Sequence, residues 1–288
     1  MATIQWFPGH MAKARREVET ILPLIDIVYE LRDARIPFAS SNPLIEEITT
    51  GKPRLVVLNK ADLADERLTQ RAIEQLRQKG ITAISVNSLT GNPLAQVMTQ
   101  TRILLQSLVE KETRRGMKPR PFRGLVLGIP NVGKSQFINR LAKKVKAKTG
   151  DRPGITKTQT YLRAGKDLEL IDNPGILWPR FDDLQVGKLL ALVGSIKDEV
   201  YPKDVVVGFG IAFLLEHYPD RLQARYRLKQ ADLTDHETII NAIARNRGCI
   251  LRQGVIDHDR VMGLILHDFR NQMFGNISYE GHDIHGSI

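Results

Sequence analysis

The sequence of 288 residues has a single cysteine, Cys249, and aromatic residues make up only 6% of it. A lone cysteine cannot form an internal disulfide and is a poor metal site, so the composition fits a reducing compartment. The longest apolar run, residues 205–215, is far shorter than the roughly 18 residues of a membrane-spanning helix. Apolar residues precede the first basic ones, the reverse of a secretory signal. We therefore expect a cytoplasmic protein without a membrane partner.

Acidic residues are in the minority. Lys and Arg number 42 against 32 Asp and Glu, a formal net charge of +10. This excess favours a polyanionic partner such as nucleic acid; a basic protein that is merely well solvated is the alternative. The 42% of apolar residues excludes a disordered chain, and the length fits two domains of about 150 residues each.

Short β-type runs recur through the first 175 residues, at 25–31, 54–58, 82–86, 124–127 and 168–171. Amphipathic helical stretches at 66–79 and 94–110 lie between them, and residues 111–123 are a polar connection. Strands that alternate with helices indicate an α/β fold with a mostly parallel sheet.

The last third of the chain has a different pattern. Four stretches have helical length and spacing: 182–193, 205–217, 234–246 and 257–273. Residues 234–237 form a capping-box pattern, and Gly248 and Gly275 stand where helices end. We therefore predict an α/β domain over residues 1–178, followed by a small all-α domain over residues 179–288.

The segment Gly128–Ser135, GIPNVGKS, matches the phosphate-binding pattern G-x-x-x-x-G-K-[ST] at every fixed position. It follows an apolar strand and opens a helical pattern over 136–144, the context that separates this motif from a chance glycine loop. Its backbone N–H groups would wrap a β-phosphate, Lys134 would neutralise β/γ oxygens, and Ser135 would bind Mg²⁺. The candidate nucleotide-binding residues here are Asn131, Val132, Gly133, Lys134, Ser135 and Gln136.

Two further segments could complete a phosphate and metal site. Asp172–Gly175, DNPG, closes the apolar run 168–171. Asp172 would hold a metal-bound water and Gly175 would present its N–H to a γ-phosphate, although D-x-x-G alone is only a turn. Thr156, in PGIT, is expected to complete the Mg²⁺ shell; an ordinary loop threonine is the alternative, and Thr158 is a competitor.

The sequence NKAD at Asn59–Asp62 follows the run 54–58. The Asp62 carboxylate can accept two hydrogen bonds from the N1–H and exocyclic amine of guanine, whereas adenine has no proton at N1. We therefore expect Asn59, Lys60 and Asp62 to bind a guanine nucleotide, GTP or GDP. Asn87 and Ser88 lie where backbone amides of GTPases support the base.

The order of the motifs is unusual. In ordinary GTPases the phosphate loop comes first and the guanine motif last, but here NKAD precedes the phosphate loop, which precedes DNPG. The sequence thus predicts a circularly permuted P-loop GTPase domain, since a permuted chain can build the same sheet when its original ends lie close together.

The permuted order, Gln5–Met11 (QWFPGHM) and Asp172–Pro179 (DNPGILWP) closely resemble the YlqF/RbgA family of ribosome biogenesis GTPase A proteins, over almost the whole chain. The resemblance implies GTP hydrolysis coupled to assembly of the large ribosomal subunit, and a C-terminal helical domain that contacts ribosomal RNA. Gln136 and Asn173 depart from the family's usual residues, but neither has a required role in the chemistry above. We expect no DNA partner and a monomer.

A water-orienting glutamine is absent after DNPG, where Ile176 stands instead. The catalytic group must come from elsewhere, or hydrolysis by the isolated protein is slow. His10 is the candidate, carried by a turn at Pro8–Gly9, and a surface histidine is the alternative. With Lys134 and Gly175 it makes up the expected catalytic set. By resemblance, Asn131 could bind K⁺ against the phosphates; the alternative is a structural asparagine.

Basic residues supply the candidate RNA surface. One run, near the phosphate-sensing segments, comprises Lys143, Lys144, Lys146 and Lys148. The helical domain adds Arg221, Arg225, Arg227, Lys229, Arg245, Arg247 and Arg252. The rival hypothesis is a nucleotide-dependent RNA-binding or scaffolding protein in which hydrolysis is incidental, or a tRNA-modification accessory.

Overall fold

The computed structural model describes residues 8–142, 161–172 and 183–282, with the backbone alone at 8–14, 161 and 172. Two compact units are present among them. Residues 8–172 and 280–282 belong to an α/β unit, and residues 183–279 form a helical unit. No described helix is long and apolar enough to cross a membrane.

A six-stranded sheet forms the centre of the α/β unit. Its strands are β1 (Ile27–Asp33), β2 (Arg54–Asn59), β3 (Thr82–Ser85), β4 (Phe122–Gly128), β5 (Tyr161–Ala164) and β6 (Leu168–Asp172). They lie in the order β3-β2-β1-β4-β6-β5, and all neighbours are parallel except β5 with β6. The predicted mostly parallel α/β sheet is confirmed. The short edge strand β5 was not predicted, because its four residues lack a long apolar run.

The helices of this unit are α1 (Pro8–Ile21), α2 (Pro43–Ile48), α3 (Glu66–Gln78), α4 (Leu94–Leu104), α5 (Gln106–Arg114) and α6 (Lys134–Ala142). The predicted helix 94–110 is wrong as one element, because it breaks at Leu105 and continues as α5 into the predicted polar connection. The predicted turn at Pro8–Gly9 is also wrong. Pro8 begins α1, where the absence of a proline N–H has no cost.

The helical unit contains α7 (Leu184–Leu192), α8 (Lys203–His217), α9 (Pro219–Tyr226), α10 (His236–Arg247) and α11 (His258–Arg270). Gly210 on α8 lets α11 approach, since a Cβ there would lie 2.6 Å from the Phe269 ring. Phe269 in turn packs on Phe274, with ring centroids 5.0 Å apart. These contacts fix the core of the unit.

Two of the predicted end signals in this unit are wrong. Asp235, rather than Thr234, caps α10, because its carboxylate accepts the Thr238 N–H at 2.9 Å. Gly275 does not cap α11, which ends at Arg270. Gly248 is confirmed: it ends α10 with φ of +67°, a left-handed conformation that glycine adopts without steric cost.

The central strand β1 marks a change of direction in the sheet. From β1 the chain adds β2 and β3 on one side, and then returns to add β4 on the other. In open parallel sheets, ligands bind beyond the carboxyl ends of the strands at such a switch point. The residues that follow β1, β2 and β4 therefore lie where a ligand is expected to bind.

Glu280 lies beyond the helical unit in sequence but belongs to the α/β unit. Its carboxylate accepts the backbone N–H groups of Phe38 and Ala39 at 2.7 and 2.9 Å. Burial raises the pKa of Glu280 to about 7, because the two N–H groups and the nearby Arg32 offset only part of the loss of hydration. The C-terminal segment thus caps the loop that follows β1.

We expect Glu280→Ala to lower the free energy of unfolding by about 2 kcal/mol, the cost of leaving buried N–H groups without an acceptor. The difference should be largest below about pH 4.5. It should shrink as the pH rises to about 7. Over this range the Glu280 carboxyl ionises in the unfolded state before it does in the folded state, which reduces the stability that the parent gains from this residue. Urea denaturation of the parent and the variant at pH 5 and pH 8 measures this. A larger difference at pH 8 would contradict it.

Candidate nucleotide-binding site

The phosphate-binding pattern occupies the loop between β4 and α6, as the sequence predicted. Gly128 ends β4, and a Cβ on it would lie 2.5 Å from the Leu31 carbonyl oxygen. Gly133 has φ of +94°, and a Cβ there would lie 2.4 Å from Asn59 Nδ2. Both glycines are required because neighbouring groups approach the backbone too closely for a side chain.

Lys134 is the first residue of α6 and is buried. Its ammonium donates to the Gly128 and Ile129 carbonyl oxygens at 3.2 and 2.8 Å, so the side chain folds back over the loop. The next two residues, Ser135 and Gln136, lie in the same first turn, half-buried and exposed respectively. A positive ammonium and a helix N-terminus therefore meet at one end of the loop, the arrangement that binds phosphate.

Asn59 connects the guanine motif to the phosphate loop. It ends β2, and its Nδ2 donates to the Val132 carbonyl oxygen at 2.8 Å. Its Oδ1 accepts a hydrogen bond from Ser88 Oγ at 2.6 Å. Asn59, Ser88 and Val132 are all buried. One carboxamide thus joins three segments that are far apart in the sequence.

The segment 87–90 forms a tight turn that its own first side chain organises. Asn87 Oδ1 accepts the Leu89 and Thr90 N–H groups at 2.8 and 3.2 Å. Arg140 of α6 donates to the Ser88 carbonyl oxygen at 3.1 Å. Asn87 therefore shapes the turn, and Ser88 is held from both sides.

Asp62 lies in the 3₁₀ turn Ala61–Leu63 directly after Lys60 and is half-buried. The turn is tied down by the Ala61 N–H, which donates to the Val86 carbonyl oxygen at 3.2 Å, and by the Leu63 N–H, which donates to Lys60 at 2.9 Å. The backbone that carries Asp62 is thereby attached to the segment that leads from β3 to Ser88.

Sequence reasoning missed Asp33, the last residue of β1. Its Oδ2 accepts a hydrogen bond from Lys60 Nζ at 3.0 Å, and its side chain is fully buried. Burial opposes the charge, but the positive charges of Arg35 and Lys60 overcome it and hold the pKa of Asp33 well below its usual range. Burial lowers the pKa of Lys60, against the attraction of Asp33. The signal that could have revealed Asp33 is a carboxylate at the end of an apolar strand.

Several predicted residues lie outside the described part or are described by backbone alone. Thr156, Gly175, Ile176 and the run Lys143, Lys144, Lys146 and Lys148 lie outside the described residues. His10 lies in α1 and Asp172 ends β6, both without a described side chain. Asp172 is the register partner of Val126, two residues before Gly128, so the two strand ends are adjacent. Asn131, in the loop, is exposed with φ of +58°.

The basic residues of the helical unit fall into two groups. Three have intramolecular roles: Arg225 forms two 2.8 Å hydrogen bonds with Asp268, Arg221 donates to the Asn276 carbonyl oxygen, and Arg247 donates to the Arg225 carbonyl oxygen. The other four, like Arg221, are exposed: Arg227, Lys229, Arg245 and Arg252. This second group of four is the candidate surface for a polyanion.

The chain is similar to known GTPases over most of its length. Residues 123–206 match the family model described as 50S ribosome-binding GTPase. Ribosome biogenesis GTPase A of Bacillus pumilus is 49% identical over 278 residues, which cover 96% of this chain and 98% of that protein. The GNP-bound YlqF structure from T. maritima is 26% identical with a TM-score of 0.61, covering 93% of this chain and 97% of that one. The GDP-bound TM YlqF structure has a TM-score of 0.66 at 25% identity, covering 92% and 98%.

The strand order agrees with the permuted motif order. The half of the sheet that carries NKAD, β1 to β3, precedes β4 and the phosphate loop in the chain. Since near half-identity extends over almost the full length of both proteins, the chain belongs to the ribosome biogenesis GTPase A family, and it is a GTP-hydrolysing protein with a circularly permuted GTPase domain.

Proposed function

We propose that this protein binds GTP through the phosphate loop and the NKAD turn, and hydrolyses it during assembly of the large ribosomal subunit. The observation that carries the proposal is the carboxamide of Asn59, which joins the phosphate loop at Val132 to Ser88. Because one buried side chain sets the distance between the phosphate-binding and base-binding segments, the phosphates and the base of one nucleotide can contact both segments together.

In this proposal Asp62 selects the base. Its carboxylate accepts hydrogen bonds from N1–H and the exocyclic amine of guanine, and adenine offers no N1–H. Lys60 covers the ring, and the turn 87–90 supports the base from the opposite segment. GTP and GDP are therefore bound and ATP is not.

We expect Asp62→Asn to weaken GDP binding about 100-fold, since two charge-assisted hydrogen bonds are lost, and to improve binding of the xanthine nucleotide, whose O2 accepts from a carboxamide. Lys134→Ala is the control, because it should weaken binding of both nucleotides equally. Titration with fluorescent GDP and XDP checks the pair. Equal affinity of the parent protein for ATP and GTP would contradict the assignment.

The phosphate end is assigned to the loop and to Mg²⁺. Ser135 is in the first turn of α6, and Asp172 ends β6, the neighbour of β4; hydroxyl and carboxylate oxygens are the ligands that Mg²⁺ prefers, which supports these two residues as its ligands, with Thr156 as the third. Mg²⁺ would neutralise phosphate charge, and Lys134 would do the same at the β/γ oxygens. Gly175 would donate its N–H to the γ-phosphate. Asn131 would bind K⁺ beside the phosphates.

Ile176 cannot orient water, so hydrolysis by the isolated protein should be slow, with the ribosome supplying order or charge. His10 in α1 is the proposed water-orienting group. Each tenfold in rate requires about 1.4 kcal/mol, so ordering one histidine could account for roughly a hundredfold stimulation.

We expect His10→Ala to reduce ribosome-stimulated turnover about 100-fold while GTP affinity and subunit binding stay near the parent values, as for an interaction made in the transition state. Ile176→Ala should affect turnover less. Phosphate release with and without large subunits measures both variants. Full stimulation of His10→Ala would show that another group, such as a ribosomal one, orients the water.

Ribosomal RNA is the proposed polyanion for the helical unit. The exposed residues Arg227, Lys229, Arg245 and Arg252 support this, because they are charged and accessible. Phosphate contacts of this kind release counterions, so binding weakens steeply with salt. Docking should be tighter with a non-hydrolysable GTP analogue, and the rival scaffolding function would show binding without subunit-stimulated hydrolysis.

We expect the triple variant Arg227→Gln, Arg245→Gln and Arg252→Gln to bind large subunits more weakly and to lower the slope of log affinity against log salt by about 3. The matched control removes three exposed charges from the other unit, with Arg114→Gln, Arg115→Gln and Lys118→Gln. Co-sedimentation across a salt series compares them. Equal slopes for the two triple variants would contradict the assignment.

A further inference from the structure

The carboxylate of Asp33 is held by a second cation, in addition to Lys60. Arg35 donates to it with Nε at 3.0 Å and Nη2 at 2.9 Å, one bond to each oxygen, and its backbone N–H adds a third at 3.1 Å. Arg35 is itself buried. A carboxylate gripped in this bidentate manner cannot rotate without breaking charge-assisted bonds. The oxygen that Lys60 uses is therefore fixed in direction.

The backbone around this carboxylate is also fixed. The Asp33 N–H donates to Ser40 Oγ at 3.0 Å, and that hydroxyl donates to the Ile36 carbonyl oxygen at 2.6 Å, which closes the loop after β1. The Ala34 N–H donates to the Asn59 carbonyl oxygen at 2.8 Å, so the backbone segments that carry Asp33 and Lys60 are joined by a hydrogen bond. The pair has little freedom to separate.

Lys60 has an unfavourable backbone conformation for its residue type. Its φ of +60° and ψ of +35° lie in the left-handed region, which is sterically unfavourable for a residue with a Cβ. In this conformation its ammonium donates a hydrogen bond to Asp33 Oδ2 at 3.0 Å. A lysine anchored by its ammonium presents its aliphatic stem as a fixed apolar surface, which can cover a flat aromatic ring.

We propose that Asp33 is a positioning residue for the guanine base: with its carboxylate oriented by Arg35, it anchors the Lys60 ammonium so that the lysine stem lies against the ring. The inference rests on the proposed function, in which Lys60 and Asp62 bind the base. One carboxylate between two cations also leaves net positive charge next to an anionic nucleotide, which favours binding at the same place.

Asp26 provides a matched control at the other end of the same strand. It immediately precedes β1 and accepts two hydrogen bonds from Arg120, at 2.7 and 2.9 Å. The rise of a strand places it roughly 20 Å from Asp33. Removing its charge breaks an aspartate–arginine pair of the same kind, away from the nucleotide motifs.

The experiment is a double-mutant cycle on GDP affinity, measured by titration of the full chain with a fluorescent GDP analogue. We expect Asp33→Asn to weaken binding about tenfold, Lys60→Ala to weaken it at least as much, and the double variant to match Lys60→Ala alone. Asp26→Asn should remain within twofold of the parent. Thermal unfolding of both asparagine variants reports the loss of stability separately.

The inference would be overturned if the fold-losses in GDP affinity of the two single variants multiplied in the double variant. Equal losses of affinity for Asp33→Asn and Asp26→Asn would also overturn it. If Asp33→Asn does not fold, Arg35→Gln replaces it, with an expected loss of about threefold that again disappears in the Lys60→Ala background. Failure of the proposed function is distinguishable, because Asp62→Asn would then leave the preference for guanine unchanged. Loss of that preference together with an additive cycle would reject the role of Asp33 alone.

Discussion

The site depends on one buried carboxamide. Asn59 donates to the carbonyl oxygen of Val132 and accepts from the hydroxyl of Ser88, so it fixes the phosphate loop relative to the turn after β3. It can do so only because Gly133 has no Cβ, which would otherwise lie 2.4 Å from its nitrogen. A buried amide with both ends satisfied is costly to disturb, since each broken bond leaves a polar group without water. The geometry of the nucleotide site follows from this contact.

A second layer of order comes from buried charge. Asp33 ends the central strand, and its carboxylate is neutralised by Arg35 and Lys60 rather than by solvent. Burying an ion is costly unless its partners are well placed, so this cluster holds the loops after β1 and β2 in one arrangement. Glu280 caps the loop after β1 from the C-terminal segment. In the sheet β1 lies between β2 and β4, so this cluster is next to the strand that leads into the phosphate loop.

The helical unit shows how tertiary contacts divide a set of similar residues. The sequence offers seven basic side chains between residues 221 and 252 as one candidate RNA surface. In the fold Arg225 neutralises the buried Asp268, and Arg221 and Arg247 donate to backbone carbonyl oxygens. The number of basic residues alone overestimates the size of the candidate RNA surface, because some arginines donate to acceptors within the protein. Of the seven, Arg227, Lys229, Arg245 and Arg252 are the exposed residues that remain as the candidate surface.

The sequence by itself determined the fold class and the motif positions. Apolar runs bounded by turn signals specify strands locally, and the chemistry of phosphate and base binding sets the residue spacing within GIPNVGKS and NKAD. It predicted a turn at Pro8–Gly9, where α1 begins, and one continuous helix over 94–110, which breaks at Leu105. It gave no sign that Asp33 pairs with Lys60 or that Glu280 caps Phe38 and Ala39. Those pairs are 27 and more than 200 residues apart, and only folding brings such groups within hydrogen-bond distance, where burial makes their charges matter.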